Sequence, residues 1–443
     1  HHFIPKHPGM MQIIKEYAQQ FADASFGKKR LVILAPLGFT LPIELEDDVV
    51  ILDFDSPSYA ELGDIYDNLI GSIQDNNKKP RFDADAKRRL ISLGGGMTSH
   101  EYENALARSL VTNRSKLPAV PVDDFADVLT MVKTEVVKRS EVLEMLSTEK
   151  MSDVGGLDNL KEWVQVRRHA FGEEAAAFGV DAPKGIALIG PPGTGKSLAA
   201  KAIGSLLGLP AIRFDVGRVF NSLIGSSEQR VRAALKMVEA MAPCVLMIDE
   251  VDKAFQANSG GGDSGVSQRV LGAILTWMQE CTQPVFMIVT ANRVNNLPSE
   301  FLRRGRLDEV FSVSVPAEQE REDILKIHLR RRKQDATKVD LAAAVEKSSG
   351  YVPAEIEAAV KDAVLTAFAT KTPINSAMIV EALGNMKPLS VAFAEDFRAM
   401  QEWAENNARP ANKVAGGSQA PGAGIRSRSR ATAAPGRNMN LDG

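Results

Sequence analysis

The stretch GPPGTGKS at residues 190–197 has the spacing G-x-x-x-x-G-K-S. Glycines so placed let backbone N–H groups turn inward around phosphate oxygens, and a helix starting there adds the positive end of its dipole. Pro192, Gly193, Thr194 and Gly195 would form the cradle, with Leu198 in the first turn of the helix. Lys196 would reach the β- and γ-phosphates of ATP, or the β-phosphate of ADP, and Ser197 would hold Mg2+. About fifty residues on, CVLMIDE ends an apolar run with two carboxylates. Asp249 would hold the metal, mostly through water, and Glu250 would polarise an attacking water. VTAN ends another apolar run, where Asn292 could orient that water. RRGRLDE then sets Arg303 and Arg306 three apart with no local partner. Guanidinium groups reaching a neighbouring subunit's γ-phosphate are worth about 10³–10⁵ in rate.

These residues need strands to end at them and helices to start from them. GIALIG precedes the cradle and SLAAKAIGSLL follows it; PAIRFDV, CVLMID, VFMIVTA and FSVSV alternate with segments of helical period. That alternation predicts a parallel sheet flanked by helices, an α/β P-loop architecture over 151–317. Residues 318–395 read as a helical lid. The Gly/Ala/Ser/Pro-rich, Arg-dotted end reads as a disordered basic tail over 396–443.

The 443 residues carry 44% hydrophobic and 25% charged positions and a net charge of −3, ordinary for a globular chain and without whole-chain attraction to nucleic acid or anionic membrane. No apolar run approaches the 18 or so residues of a membrane span, which makes the cytoplasm the default location. The two cysteines, Cys244 and Cys281, sit in apolar runs and read as buried free thiols of a reducing compartment. The six histidines show no pair at metal-ligand spacing, which argues against a fused zinc protease.

Taken together, the motifs resemble the AAA ATPases. SDVGGLDNLKEW is similar to that family's leading segment, which packs the adenine and so implicates Val154 and Gly155. PCVLMIDEVDKAF, GDSGVSQRVLGAILTWMQECTQPVFMIVTAN and RRGRLDEVFSV resemble more closely a branch encoded in algal plastids and cyanobacteria, hypothetical chloroplast frame forty-six. A plastid-encoded copy would reside in the stroma. The resemblance implies ATP binding and hydrolysis with Mg2+ and a homo-oligomer, a hexamer favoured, that remodels a protein or complex. The lid stretch GYVPAE keeps Ala354 near the nucleotide but has Pro353 where relatives carry glycine. NSLIGSS has Leu223 where threading rings carry an aromatic, which puts processive threading in doubt. ANSGGGDSG is either a second pore loop or a surface loop. Two other readings stand beside remodelling: a nucleotide-gated scaffold that moves no substrate, and a nucleic-acid-associated ATPase acting through the Arg-rich tail.

The chain also repeats itself. LVILAPLGFTLPIELE (31–46) parallels MIVTANRVNNLPSEFL (287–302), and GMTSHEYENALARSL parallels GYVPAEIEAAVKDAV. Pro36 stands for Asn292 and Asp47 for Arg303. Residues 1–112 thus read as the latter half of a degenerate AAA-like module with its own lid and no catalytic residues. Any former first half would precede residue 1 or be absent. Residues 113–150 read as a helical linker.

Overall fold

The computed structural model describes residues 8–22, 29–33, 41–52, 56–138, 140–147, 149, 151–171, 173–220, 227–256, 264–294, 299–303 and 305–413. Leu223 and its loop, the Gly-rich stretch at 257–263 and the tail from 414 onward lie outside them.

Seven strands form one sheet: β1 (Leu143–Met145), β2 (Gly185–Ile189), β3 (Ala211–Phe214), β4 (Cys244–Ile248), β5 (Val285–Ala291), β6 (Glu309–Ser312) and β7 (Arg409–Pro410). Their order is β1-β3-β4-β5-β2-β6-β7, parallel throughout except for β1, which runs antiparallel to β3. The five central strands are those the apolar runs predict. β2, β4 and β5 are buried on both faces, β3 nearly so and β6 only in part, and their side chains alternate between two cores. Val285, Met287, Val289 and Ala291 of β5 face one, while Phe286 and Ile288 face the other with Ile186 and Leu188 of β2. Each aliphatic side chain so buried contributes about 1.5–3 kcal/mol of transfer free energy. The second core also holds Ala199, Ala200 and Ile203 of the helix Lys196–Leu207, so the element that starts at the cradle is anchored along its length.

The lid is a helical unit with its own core, in which Leu325, Ile356, Val360, Ile379 and Leu383 are fully buried. The chain then returns to the sheet. Residues 394–407, expected as the start of a disordered tail, form a helix, and β7 pairs with β6. That expectation is corrected for residues 396–413. Phe397, Met400 and Trp403 recur at helical spacing and are half-buried, the latter two against the sheet core. Only residues 414–443 of the expected tail lie beyond description.

The amino-terminal region is also helical: Pro8–Ala22, Tyr59–Gly71, Ala84–Leu93 and Ser99–Thr112. The helix Val122–Lys138, expected as part of a helical linker, packs on the last two and shares a core with Tyr59–Gly71 through Phe125, Ala126 and Leu129. It leads directly into β1, so 113–150 is built into the packing at both ends. The apolar runs LVILAP (31–36) and VVILDF (49–54), whose composition reads as two further strands, form no strand among the described residues 31–33 and 49–52. Two short apolar segments without strand neighbours gain too little pairing to form a sheet.

The amino-terminal helices and the lid share local features. Ser58 N–H donates to Glu61 Oε2 and Ala317 N–H to Glu320 Oε2, each at 2.8 Å. Thr98 N–H donates to Glu101 at 3.0 Å and Val352 N–H to Glu355 at 2.8 Å. Gly96 and Gly350, just before these helices, have φ of +80° and +81°. Phe125 and Leu129 are fully buried, as are Ile379 and Leu383.

Candidate functional site

The loop 190–195 leaves β2 and closes on the helix Lys196–Leu207. Gly193 and Gly195 have φ of +80° and +90°, a left-handed region that costs other residues steric strain. A Cβ on Gly190 would lie 2.1 Å from the Val313 carbonyl oxygen, so the loop can pass β6 only without a side chain. Lys196 Nζ donates to the carbonyls of Gly190 at 2.7 Å and Pro191 at 2.8 Å. Burial pushes its pKa down to about 8, against the opposing pull of Asp252, Asp249 and Glu250. Those carbonyls aim the ammonium group along the inside of the loop, where a phosphate would restore its charge.

The ends of β4 and β5 meet beside it. Ser197 Oγ is 3.1 and 3.2 Å from the two oxygens of Asp249. Asn292 Nδ2 donates to Glu250 Oε1 at 2.9 Å, and Lys253 Nζ to Glu250 Oε2 at 2.7 Å. Burial acts to raise the Glu250 pKa. The Lys253 and Asn292 hydrogen bonds, with the Lys253 and Lys196 charges, outweigh it and hold the carboxyl below its ordinary value. Glu250 is thus ionised and aimed, as a water-polarising base must be. Its φ of +51° is unusual for a non-glycine residue.

A serine hydroxyl and an aspartate side by side, next to a lysine and a glycine-lined loop, are the oxygen donors that Mg2+ takes with a nucleotide's phosphates. The residues present fit that group. Ser197 and Asp249 would hold it, and a magnesium ion there would neutralise charge developing on the phosphate oxygens.

A separate pocket lies on the lid side of the loop. Val154, Gly155 and Leu157 of the leading segment, Thr194, Gly195 and Leu198, and Ile324, Ile327, His328 and Pro353 of the lid line it. Val154 and Gly155 therefore line this pocket together with Thr194 and Gly195 of the cradle. A Cβ on Gly155 would sit 2.6 Å from Ile324 Cγ1, so glycine is what admits the lid helix. Ala354 N–H donates to the Gly193 carbonyl at 3.1 Å. Pro353 begins the helix Pro353–Thr370, where a missing N–H costs nothing.

Arg303 and Arg306 sit elsewhere, in the turn between the short helix Ser299–Leu302 and β6. Arg306 Nη1 donates to the Glu300 carbonyl at 2.7 Å and its side chain is partly covered, whereas Arg303 is exposed. Lys184 Nζ grips the Gly305 carbonyl at 2.8 Å, and Asp308 accepts Gly185 N–H at 2.9 Å, so the turn is fixed to the start of β2.

Three site residues escape the motif reading. Thr290 is fully buried and hydrogen-bonds both Asp249 and Glu250. Asp252, 2% exposed, accepts the N–H groups of Asn292 and Arg293, each at 3.1 Å. His328 lines the lid-side pocket, and its buried Nδ1 has no hydrogen-bond partner among the described residues. Thr290 and Asp252 lie within quoted motifs; a polar residue on an apolar stripe was the available signal.

Residues 186–315 match the model of the ATPase family associated with various cellular activities (AAA). The AAA domain-containing protein ycf46 of Trieres chinensis is 32% identical over 409 residues, covering 89% of this chain and 80% of that protein. Its counterpart in Guillardia theta is 34% identical over 378 residues, 85% of this chain and 72% of that protein. The cell division cycle protein 48 homolog of Archaeoglobus fulgidus is 33% identical over 246 residues, 54% of this chain and 33% of that protein. Among solved structures, the FIGL-1 AAA domain superposes with a TM-score of 0.52 at 19% identity, covering 62% of this chain and 96% of that one, a likeness of fold alone. This chain belongs to the AAA family of ATPases, among the ycf46 AAA domain-containing proteins.

Proposed function

We propose that this protein hydrolyses ATP to ADP and phosphate with Mg2+, as an oligomer, a hexamer favoured, that remodels a protein or complex in the cytoplasm or plastid stroma. The observation that carries the reading is the contact between Asn292 Nδ2 and Glu250 Oε1 beside Ser197 and Asp249. It gathers metal donors and water-orienting groups at one end of the sheet, next to the phosphate cradle.

The loop amides and Lys196 would bind the phosphates, and Val154, Gly155, Leu198 and His328 would enclose the base side. Glu250, held by Asn292, would take up a proton from water aligned with the γ-phosphate. Arg303 and Arg306 would supply positive charge to the next protomer's γ-phosphate, Arg303 being the more exposed of the two. Ala354, bonded to Gly193, would pass lid movement to the cradle.

Residues 59–138, by the matched glycines, caps and buried positions, are a second lid-like unit. They carry no counterpart of Lys196, Asp249 or Glu250 and would brace the catalytic module. The test is steady-state phosphate release with ATP and Mg2+. Turnover that Glu250→Gln abolishes while ATP still binds supports the reading; absence of turnover in the unaltered protein refutes it.

A further inference from the structure

Thr290 stands where strand alternation calls for an apolar side chain. It shares a face of β5 with Phe286 and Ile288, and it is fully buried. Its hydroxyl donates to Asp249 Oδ1 and accepts the N–H of Glu250 at 2.9 Å. A hydroxyl has one proton, so the direction of both bonds is set: the proton goes to the carboxylate and a lone pair faces the amide. Glu250 meanwhile holds a backbone conformation at φ +51° that persists only where surrounding bonds enforce it. Asp252 secures the other side of the same junction through the N–H groups of Asn292 and Arg293.

We propose that Thr290 is a positioning residue for the reaction: its single hydroxyl ties the exit of β4 to the exit of β5 and selects the Asp249 oxygen left free for the metal. Asp249, Glu250 and Asn292 then keep one mutual geometry whichever way the lid and the neighbouring protomer move. The inference rests on the ATPase reading and adds the group that aligns its metal and water residues. A threonine serving only to fill space would give stability and nothing more.

The test is a Mg2+ titration of fluorescent mant-ATP binding in a Glu250→Gln background, where turnover is silenced. Thr290→Val keeps the shape and removes both hydrogen bonds. It is expected to raise the Mg2+ concentration at half-saturation about tenfold, the size of one lost hydrogen bond to a charged group. Binding in EDTA should be unchanged, and Thr290→Ser should restore the midpoint to within about threefold, since it returns one hydroxyl of the same kind. A valine variant with the unaltered midpoint overturns the proposal, whether or not its melting temperature falls. So does a serine variant as impaired as valine. If valine does not fold, the serine and alanine variants decide by the same midpoint. The titration needs no hydrolysis, so a failure of the unaltered protein to release phosphate would be recognised separately.

Discussion

Asn292 Nδ2 lies 2.9 Å from Glu250 Oε1, a hydrogen bond between the ends of neighbouring parallel strands β4 and β5. It fixes the carboxylate that would polarise water. Glu250→Gln is expected to leave ATP affinity within about threefold and to lower kcat by about 10²–10⁴, the usual worth of a general base. Asn292→Ala should lower kcat less, since Lys253 still holds the other oxygen. Phosphate release and mant-ATP binding measured on the same preparations separate the two effects.

Lys196 sets a pH dependence. Its depressed pKa, about 8, means that the free protein loses the ammonium charge as pH rises past that value. Bound phosphates favour the charged form. ATP affinity should therefore weaken above pH 8, and binding near pH 8.5 should take up a proton. Calorimetry in buffers of different ionisation enthalpy reads that uptake; Lys196→Ala should bind weakly and show none.

Lys133, on the helix Val122–Lys138, is buried, and its Nζ has no hydrogen-bond partner among the described residues. Burial lowers its pKa to about 8 from 10.5. Between those values the unfolded chain binds more protons than the folded one, so the group's contribution to stability rises with pH and is least favourable below 8. Lys133→Met keeps the stem and removes the charge. It should stabilise the fold at pH 7 by about 1–4 kcal/mol, in line with other replacements of buried charge by apolar groups. It should also flatten the stability profile from pH 8 to 10.5. Urea melts across that range provide the check.

Gly156 has φ +68°, and a Cβ there would lie 2.4 Å from Glu320 Oε1. That carboxylate accepts the N–H of Leu157 at 3.2 Å and Nδ2 of Asn412 at 2.7 Å, joining the leading segment, the first lid helix and the returning carboxy-terminal segment. Gly156→Ala should weaken nucleotide binding and lower the melting temperature together. Asn412→Ala should loosen the lid, seen as faster hydrogen exchange in the helix Glu318–Arg331.

The candidate cluster could be assembled from the sequence because its members are local: the cradle, Lys196 and Ser197 occupy one loop, and Asp249 and Glu250 adjoin one apolar strand. The five central strands were legible for the same reason, being short apolar runs closed by turn residues. Thr290 and Asp252 were not, since their roles arise from which strands lie side by side. His328 becomes a pocket residue only when the lid folds back over the loop. The helix at 394–407 was hidden by the low-complexity sequence after it, although Phe397, Met400 and Trp403 carried its period. Residues 31–33 and 49–52, the described parts of two apolar runs, show the opposite failure, for strand-like sequence forms strands only beside suitable neighbours.

The central claim is that one catalytic pocket per chain is completed by arginine from an adjacent copy. Arg303 is exposed in a turn fixed to β2, suitably placed for a neighbour. The direct measurement is ATP turnover per chain in mixtures of Arg303→Ala and Lys196→Ala proteins, each expected to be inactive alone. Partial recovery on mixing, scaling with protein concentration, is the expected result. A strictly monomeric chain hydrolysing ATP at the full rate, or mixtures that recover nothing while still co-assembling, would contradict it.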